Sequence, residues 1–343
     1  MARRRRDSDT AARRKARARR TRSASRTRPT GPRSRAENRK VPAGRVVPLT
    51  AARRRATARR RLGTGITAPT GSDAGTPSPT RDFHLAACVS CARAGGRVLM
   101  DYWGRKRDYA VREKGRNDFV TIVDREAEAA IVRIVRERFP DHAILAEESP
   151  PSEGHLGYRW YIDPLDGTTN FIHGYPLFAV SVGVSDPQGM RAAAVYDPVR
   201  DEMFTAARGH GAHLNGEPIR TSPAETLSQS LLVTGIPFRS LARLDQYLAS
   251  FRSFILGASG LRRDGSAALD LAYVACGRYE GFWEMSLSPW DVAAGSLIVR
   301  EAGGVVTDFG GRESYIESGD IIAANPHVHA SMLRIVREAY REK

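Results

Sequence analysis

From residue 83 onward, apolar residues recur at two spacings, and the alternation between them predicts a mixed helix-and-strand chain. Residues 83 to about 103 place Leu85, Ala92, Val98, Leu99 and Trp103 where an amphipathic helix would bury them. Residues 114–124 read as a turn and a short strand. A second helix is predicted to begin at Asp124, with Ala127, Ile131, Ile134, Val135 and Phe139 on one face. Its first residue is a natural N-cap. Short strands follow at 143–146 and at 160–163. Three antiparallel-looking strands are predicted at 178–184, 192–196 and 203–207, then a hairpin turn at Asn215-Gly216. Further strands are expected at 231–234, 279–284, 305–308 and 321–324. Helices are expected at 241–254, from about 265 to 275, from Ser288 onward and after Pro326. Ser288 at the N-cap, Pro289 at the first helical position and Asp291 two residues later make a capping-box-like start.

One run stands out from this pattern. Trp160-Tyr161-Ile162 is an apolar strand that leads into Asp163-Pro164-Leu165-Asp166-Gly167-Thr168-Thr169-Asn170. Proline cannot donate to a sheet ladder, so the strand is expected to stop at Asp163. Gly167 permits a tight turn or a close approach to a ligand. Thr168, Thr169 and Asn170 offer capping groups for a helix, whose N-terminus suits an anion. Carboxylates beside an anion site call for a cation between them, so a divalent metal bridging Asp163 and Asp166 to a phosphate is the chemistry this stretch suggests; Asp-Gly and Asx-Thr are also ordinary turn residues. An EF-hand is excluded, because its third and twelfth loop positions would be Leu165 and Gly174. A covalent aspartyl-phosphatase of the haloacid dehalogenase type is disfavoured, because its nucleophile position is Pro164.

Charge divides the chain. Residues 1–81 hold 25 Lys+Arg and 4 Asp+Glu, a net of +21, whereas residues 82–343 hold 29 and 34, a net of −5, within a whole-chain net of +16. The first segment is low in complexity, with almost no large apolar residues and no aromatics, so residues 1–81 are expected to be a disordered Arg-rich tail and linker. Residues 82–343 are expected to be the catalytic domain. Residues 1–61 could bind nucleic acid or another polyanion by counterion release, without base specificity since nothing there can stack. A solvated tail and an organelle transit peptide fit the same composition. No apolar h-region follows the arginines, and no apolar run approaches the roughly 18 residues of a membrane span. Three cysteines, Cys88, Cys91 and Cys276, fit a reducing, cytoplasmic compartment. Cys88-Val-Ser-Cys91 lies in an Ala-rich helical stretch with no second pair, which favours packing over redox or zinc chemistry. The Gly-rich 208–216 segment lacks the third glycine and the following helix of a dinucleotide fingerprint.

Five blocks in order carry a resemblance: Thr121-x-x-Asp124, Glu147-Glu148-Ser149, Trp160-x-Ile162-Asp163-Pro164-Leu165-Asp166-Gly167-Thr168-Thr169-Asn170-Phe171, Gly265-Ser266-Ala267-Ala268, and Trp290-Asp291-Val292-Ala293-Ala294-Gly295 leading into Glu301-Ala302-Gly303-Gly304. Together they resemble the inositol monophosphatase family, nearest its bacterial SuhB-type branch, over residues 83–340. The resemblance implies an α+β, α/β layered α-β-α-β-α sandwich, and Mg²⁺-dependent hydrolysis of phosphate monoesters. It implies that Glu147, Asp163 and the Leu165 carbonyl hold one Mg²⁺, that Asp163, Asp166 and Asp291 hold a second, and that Glu147 also serves a weaker third. Thr168 paired with Asp124 would orient and deprotonate the attacking water, with Glu147 also counted as catalytic. Gly167, Thr168 and Thr169 would meet the phosphate. Asp166, Asp291, Glu284, Arg262, Gly265 and Ala267 would face the substrate, and Lys114 matches a lysine near the family's site. None of these positions departs from the family's pattern.

The set makes chemical sense. Phosphate monoesters hydrolyse extremely slowly in water. Two divalent ions about 4 Å apart can serve both the attacking and the leaving oxygen. Hard oxygen ligands favour Mg²⁺. Substrates within the family include inositol monophosphate, histidinol phosphate, fructose 1,6-bisphosphate and 3′-phosphoadenosine 5′-phosphate, and the shared catalytic residues do not choose among them. Family members are commonly homodimers and sensitive to lithium. The SuhB-type resemblance also keeps open a role as an RNA- or transcription-associated factor, with the basic tail as its handle.

Overall fold

The structure, a computed structural model, describes residues 83–105, 111–115, 118–238 and 241–341, without the side chains of 111–120. The chain divides into two units, residues 1–72 and 73–343, and every described element belongs to the second. The expected disordered tail lies outside the described residues, as does the side chain of Lys114.

The first helix, α1 (Phe83–Tyr102), and the second, α2 (Ile122–Arg138), flank a hairpin of β1 (Val111–Gly115) and β2 (Asp118–Thr121). Helix α2 begins two residues earlier than Asp124, with Thr121 at the N-cap and Asp124 completing a capping box. There follow β3 (Ala143–Ala146), β4 (Arg159–Asp166), the short helix α3 (Thr168–His173), β5 (Ala179–Asp186), β6 (Gly189–Asp197), β7 (Glu202–Ala207), β8 (Ala212–Leu214) and β9 (Glu217–Ile219). These seven strands form one sheet in chain order, antiparallel except for the parallel β3–β4 pair. The β8–β9 turn is the expected Asn215-Gly216, both residues at positive φ, as a hairpin of this kind demands.

The remaining chain gives β10 (Leu231–Thr234), α4 (Leu244–Gly257), β11 (Gly260–Arg262), α5 (Ala267–Ala275), β12 (Gly281–Glu284), α6 (Pro289–Glu301), β13 (Val305–Thr307), α7 (Tyr315–Ser318), β14 (Ile321–Ala324) and α8 (Pro326–Ala339). The second sheet has the order β11-β10-β12-β14-β13.

The period-2 alternation of the strands explains the layering. Val180, Val182 and Val184 of β5 pack in the cluster with α1 and α2, whereas Ala179 joins the cluster around α5 and α6. In the second sheet, Phe282 of β12 faces α5 and α6, while Trp283 faces the other way, into the cluster that holds α4 and α8 residues. Each sheet is therefore apolar on both faces, and the order is α1/α2, seven-stranded sheet, α5/α6, five-stranded sheet, α4/α8. This is the expected α-β-α-β-α sandwich. Gly295 makes the central layer close: a β-carbon there would lie 2.6 Å from Leu271.

Two local expectations are corrected. Strand β4 does not stop at Asp163 but runs through Pro164 to Asp166. Asp163 pairs with Ser181 and Asp166 with Ala179, so the stretch carries one extra residue, a bulge in which a missing N–H breaks no ladder bond. Thr168, Thr169 and Asn170 do not cap α3; they form its first turn, and Gly167 is the N-cap. Cys88 and Cys91 are buried residues of α1 that form no disulfide, and burial pushes the Cys91 thiol up to about 12, against a smaller pull from Arg138. Both features belong to packing.

Candidate active site

The β4 bulge aims two successive carboxylates at one cavity. Asp163 sits at the end of regular pairing, 1% exposed, and its Oδ1 accepts from the Leu165 N–H at 3.0 Å. Asp166, three residues on, places Oδ2 where Ser266 Oγ and the Ala268 N–H both donate to it at 2.7 Å. Ser266 is the N-cap of α5, so this carboxylate caps that helix's first turn from across the molecule. Gly167 then reverses the chain at φ 95°, a conformation that favours glycine. It has no room for a side chain either, since a β-carbon would lie 3.2 Å from Leu177 O and 3.3 Å from Gly265 O. Asn170 fastens the same turn to the α5 loop by donating Nδ2 to Leu177 O and Asp264 O.

Thr168 Oγ1 lies 3.2 Å from Asp124 Oδ1 and 3.1 Å from Leu165 O, with one proton to give to either. Asp124 is fully buried at the start of α2, and its Oδ2 accepts from both Thr121 N–H and Thr121 Oγ1. Its capping role and its pairing with Thr168 therefore use different oxygens. Asp291 shows the same doubling: Oδ2 accepts from the Ser288 N–H at 2.7 Å to cap α6, and the residue lines the cavity. Glu147 follows β3 and hydrogen-bonds by its N–H to Ile162 O. The next amide, of Glu148, donates to Glu128 Oε2, a buried α2 carboxylate that fixes the turn.

These pieces meet around a cavity of about 470 Å³. Of the sequence-derived site residues, Glu147, Asp163, Leu165, Asp166, Gly167, Thr168, Thr169, Gly265, Ala267, Glu284 and Asp291 line it, and Asp124 stands behind Thr168. Arg262 does not line it. That guanidinium is exposed and turns back to Leu261 O, whereas Arg263 lines the cavity with its guanidinium over the Phe238 ring at 5.4 Å. Successive residues of an extended chain point to opposite sides, so naming the wrong arginine of an adjacent pair reverses the face. Sequence reading also missed Gly235-Ile236-Pro237-Phe238 and Met285-Ser286-Leu287, which complete the walls. Their only local signal in the sequence is the Gly and Pro punctuation.

The electrostatics follow from the convergence. Burial drives the Asp163 carboxyl well above its ordinary range, and Glu147, Asp166 and Asp291 push it further, against the single backbone hydrogen bond from Leu165. Among the described residues, no three His, Cys, Asp or Glu side chains close around a single point. Four carboxylates sharing one cavity repel one another. The donors themselves, carboxylates and a backbone carbonyl, are those that a hard divalent cation takes, and such a cation would offset that repulsion. The set fits Mg²⁺ on this chemistry.

Comparison with known proteins shows the family and the fold. The model of the inositol monophosphatase family matches residues 81–341. Nus factor SuhB of Pseudomonas aeruginosa is 47% identical over 258 residues, 74% of this chain and 95% of that protein. The crystal structure of the extragenic suppressor protein suhB from Bartonella henselae superposes with a TM-score of 0.72 at 41% identity, covering 74% of this chain and 98% of that one. The inositol monophosphatase from Anabaena superposes with a TM-score of 0.67 at 40% identity, covering 74% and 95%.

Proposed function

The chain belongs to the inositol monophosphatase family, and we propose that it hydrolyses the phosphate monoester of a small polyol, inositol monophosphate foremost, with Mg²⁺ as cofactor. The observation that carries this reading is the convergence of Glu147, Asp163, Asp166 and Asp291 on one cavity, beside the buried Asp124–Thr168 pair. Glu147, Asp163 and the Leu165 carbonyl would hold one Mg²⁺, and Asp163, Asp166 and Asp291 another. Held there, the metal supplies Lewis-acid stabilisation for charge on the phosphoryl and leaving oxygens. Thr168 Oγ1 gives its own proton to Asp124 and so presents a lone pair to the attacking water. Asp124, its Oδ2 already loaded by two donors, takes the Thr168 proton on Oδ1 as Thr168 Oγ1 takes one from the water. The Gly167 turn brings the Thr168 and Thr169 amides to the phosphate, because the first N–H groups of a helix lack acceptors within it. Glu284, Gly265, Ala267 and Arg263 face the alcohol part, with Arg263 in the place expected for Arg262.

Phosphate release from a panel of inositol monophosphate, histidinol phosphate, fructose 1,6-bisphosphate and 3′-phosphoadenosine 5′-phosphate with Mg²⁺ tests the reading. Turnover of inositol monophosphate is expected; a folded protein that hydrolyses none of the four refutes it. Asp166→Asn is expected to abolish turnover, and retained activity would overturn the metal assignment.

A second reading is favoured by the +21 charge of residues 1–81, which precede the family match, and by the Nus factor name of the relative. We propose that residues 1–61 bind RNA non-specifically through phosphate contacts. Removing residues 1–80 should leave phosphatase activity intact and weaken salt-dependent RNA binding; equal binding by both forms would refute it. From the family membership, not from the tail, we also propose a cytoplasmic homodimer, for which light scattering should give twice the chain mass. No helix among the described residues is long and apolar enough to cross a membrane.

A further inference from the structure

Strand β10 runs parallel to β12, with Leu232 opposite Gly281, Val233 opposite Phe282 and Thr234 opposite Trp283. Thr234 Oγ1 donates to Trp283 O at 2.7 Å and fastens the two strand ends. The next residues along the two strands are Gly235 and Glu284, and both line the cavity. A β-carbon built on Gly235 would overlap both carboxylate oxygens of Glu284 and its Cδ. The carboxylate therefore occupies the space that any side chain at 235 would take.

Backbone conformation does not call for this glycine. Gly167 and Gly265, elsewhere on the cavity wall, lie at positive φ, whereas Gly235 does not. The three atoms nearest to a β-carbon at 235 all belong to the Glu284 carboxylate.

We propose that Gly235 is a positioning residue for substrate selection: by lacking a side chain it seats the Glu284 carboxylate in the cavity wall, where that group accepts hydrogen bonds from the hydroxyls of a polyol phosphate. The proposal rests on the reading of the cavity as a phosphatase site, and it adds a reason for the site to prefer polyol esters over esters without hydroxyls. A carboxylate that accepts from a substrate hydroxyl discriminates, because an ester lacking the hydroxyl forgoes that charge-assisted hydrogen bond. The overlap at 235 involves the far end of a flexible side chain, so an alanine there can be accommodated by moving the carboxylate rather than the backbone. Placement and folding are thus separable at this position.

The test compares full-length wild type, Gly235→Ala, Glu284→Ala and the double variant on inositol 1-phosphate and p-nitrophenyl phosphate with Mg²⁺, with a melting temperature for each. Gly235→Ala is expected to melt close to wild type. Its preference for inositol 1-phosphate, as a ratio of kcat/KM values, should fall roughly tenfold to a hundredfold, the span of one hydrogen bond to a charged group. The loss should sit in KM rather than kcat, because hydroxyl contacts bind ground and transition states alike. In the Glu284→Ala background the same change should have no further effect on the ratio, since the group it displaces is gone. Adding Glu284→Asp to Gly235→Ala should recover part of the preference, because the shorter side chain clears the new methyl. An unchanged ratio, an additive effect in the Glu284→Ala background, or a melting temperature well below wild type would each overturn the proposal. A wild type inert toward both esters instead refutes the phosphatase reading, a result distinct from an active wild type whose Gly235→Ala form keeps its preference.

Discussion

Single side chains here serve structure and chemistry with different atoms. Asp124 caps α2 with one oxygen and meets Thr168 with the other, and Asp291 caps α6 while it lines the cavity. Read alone, each is a satisfactory capping-box residue, so local sequence cannot separate the two roles. Asp270 presents the opposite case. It is 1% exposed on α5, and neither carboxylate oxygen has a hydrogen-bond partner among the described residues. Burial raises its pKa well above the usual carboxylate range, and Asp264, Glu284 and Asp166 raise it further, against Arg263. A carboxyl neutral in the fold and ionised in the unfolded chain costs stability as pH rises above about 4, its unfolded pKa, until the folded pKa is passed. Asp270→Asn cannot ionise, so its melting temperature should gain on wild type progressively between pH 4.5 and 8, by a few degrees. A difference that stays constant across that range would contradict this account.

At the scale of elements, the bulge in β4 matters most. A regular strand would send Asp163 and Asp166 to opposite faces, since residues three apart alternate sides. The extra residue between the Ser181 and Ala179 pairings restores them to one cavity. The second decisive contact is between α5 and α6, which carry the Ser266 cap and Asp291 and meet where Gly295 lies against Leu271. Gly295→Ala should force that layer apart and destabilise the fold by about 1–3 kcal/mol, the usual cost of overpacking a core. Urea unfolding measures it directly. A variant as stable as wild type would show that the layer can give without loss.

For the whole molecule, the two sheets and the helices between them bring residues from β3, β4, α2, α5, β12 and α6 to one cavity, although 167 positions separate Asp124 from Asp291 in the numbering. The convergence concentrates negative charge in a domain that is itself mildly acidic. Mg²⁺ should therefore stabilise the folded protein, by about 2.7 kcal/mol when present at a hundred times its dissociation constant. A chelator should lower the melting temperature, and Asp163→Asn should lose most of that response. Equal melting temperatures with and without Mg²⁺ would argue against a metal centre.

Most of the layered fold and nearly all of the site were legible in the letters, for physical reasons. Helix faces and strand alternation are local patterns, and Asn215-Gly216, Ser288-Pro289 and Pro326 mark turns and helix starts that local chemistry enforces. The five motif blocks supplied Asp124, Glu147, Asp163, Asp166, Thr168 and Asp291 in order as candidates, and the family resemblance added Glu284. Tertiary structure decided the rest. It carried β4 past Pro164, because pairing with β5 tolerates a bulge that no local rule predicts. It chose Arg263 over Arg262, because the chain's facing at that point follows from sheet placement. It also gave Gly235 its meaning, because the carboxylate that fills its empty side comes from a strand nearly fifty residues away in sequence. Local chemistry fixes what a residue can do, but the neighbours that make it do so arrive only with the fold.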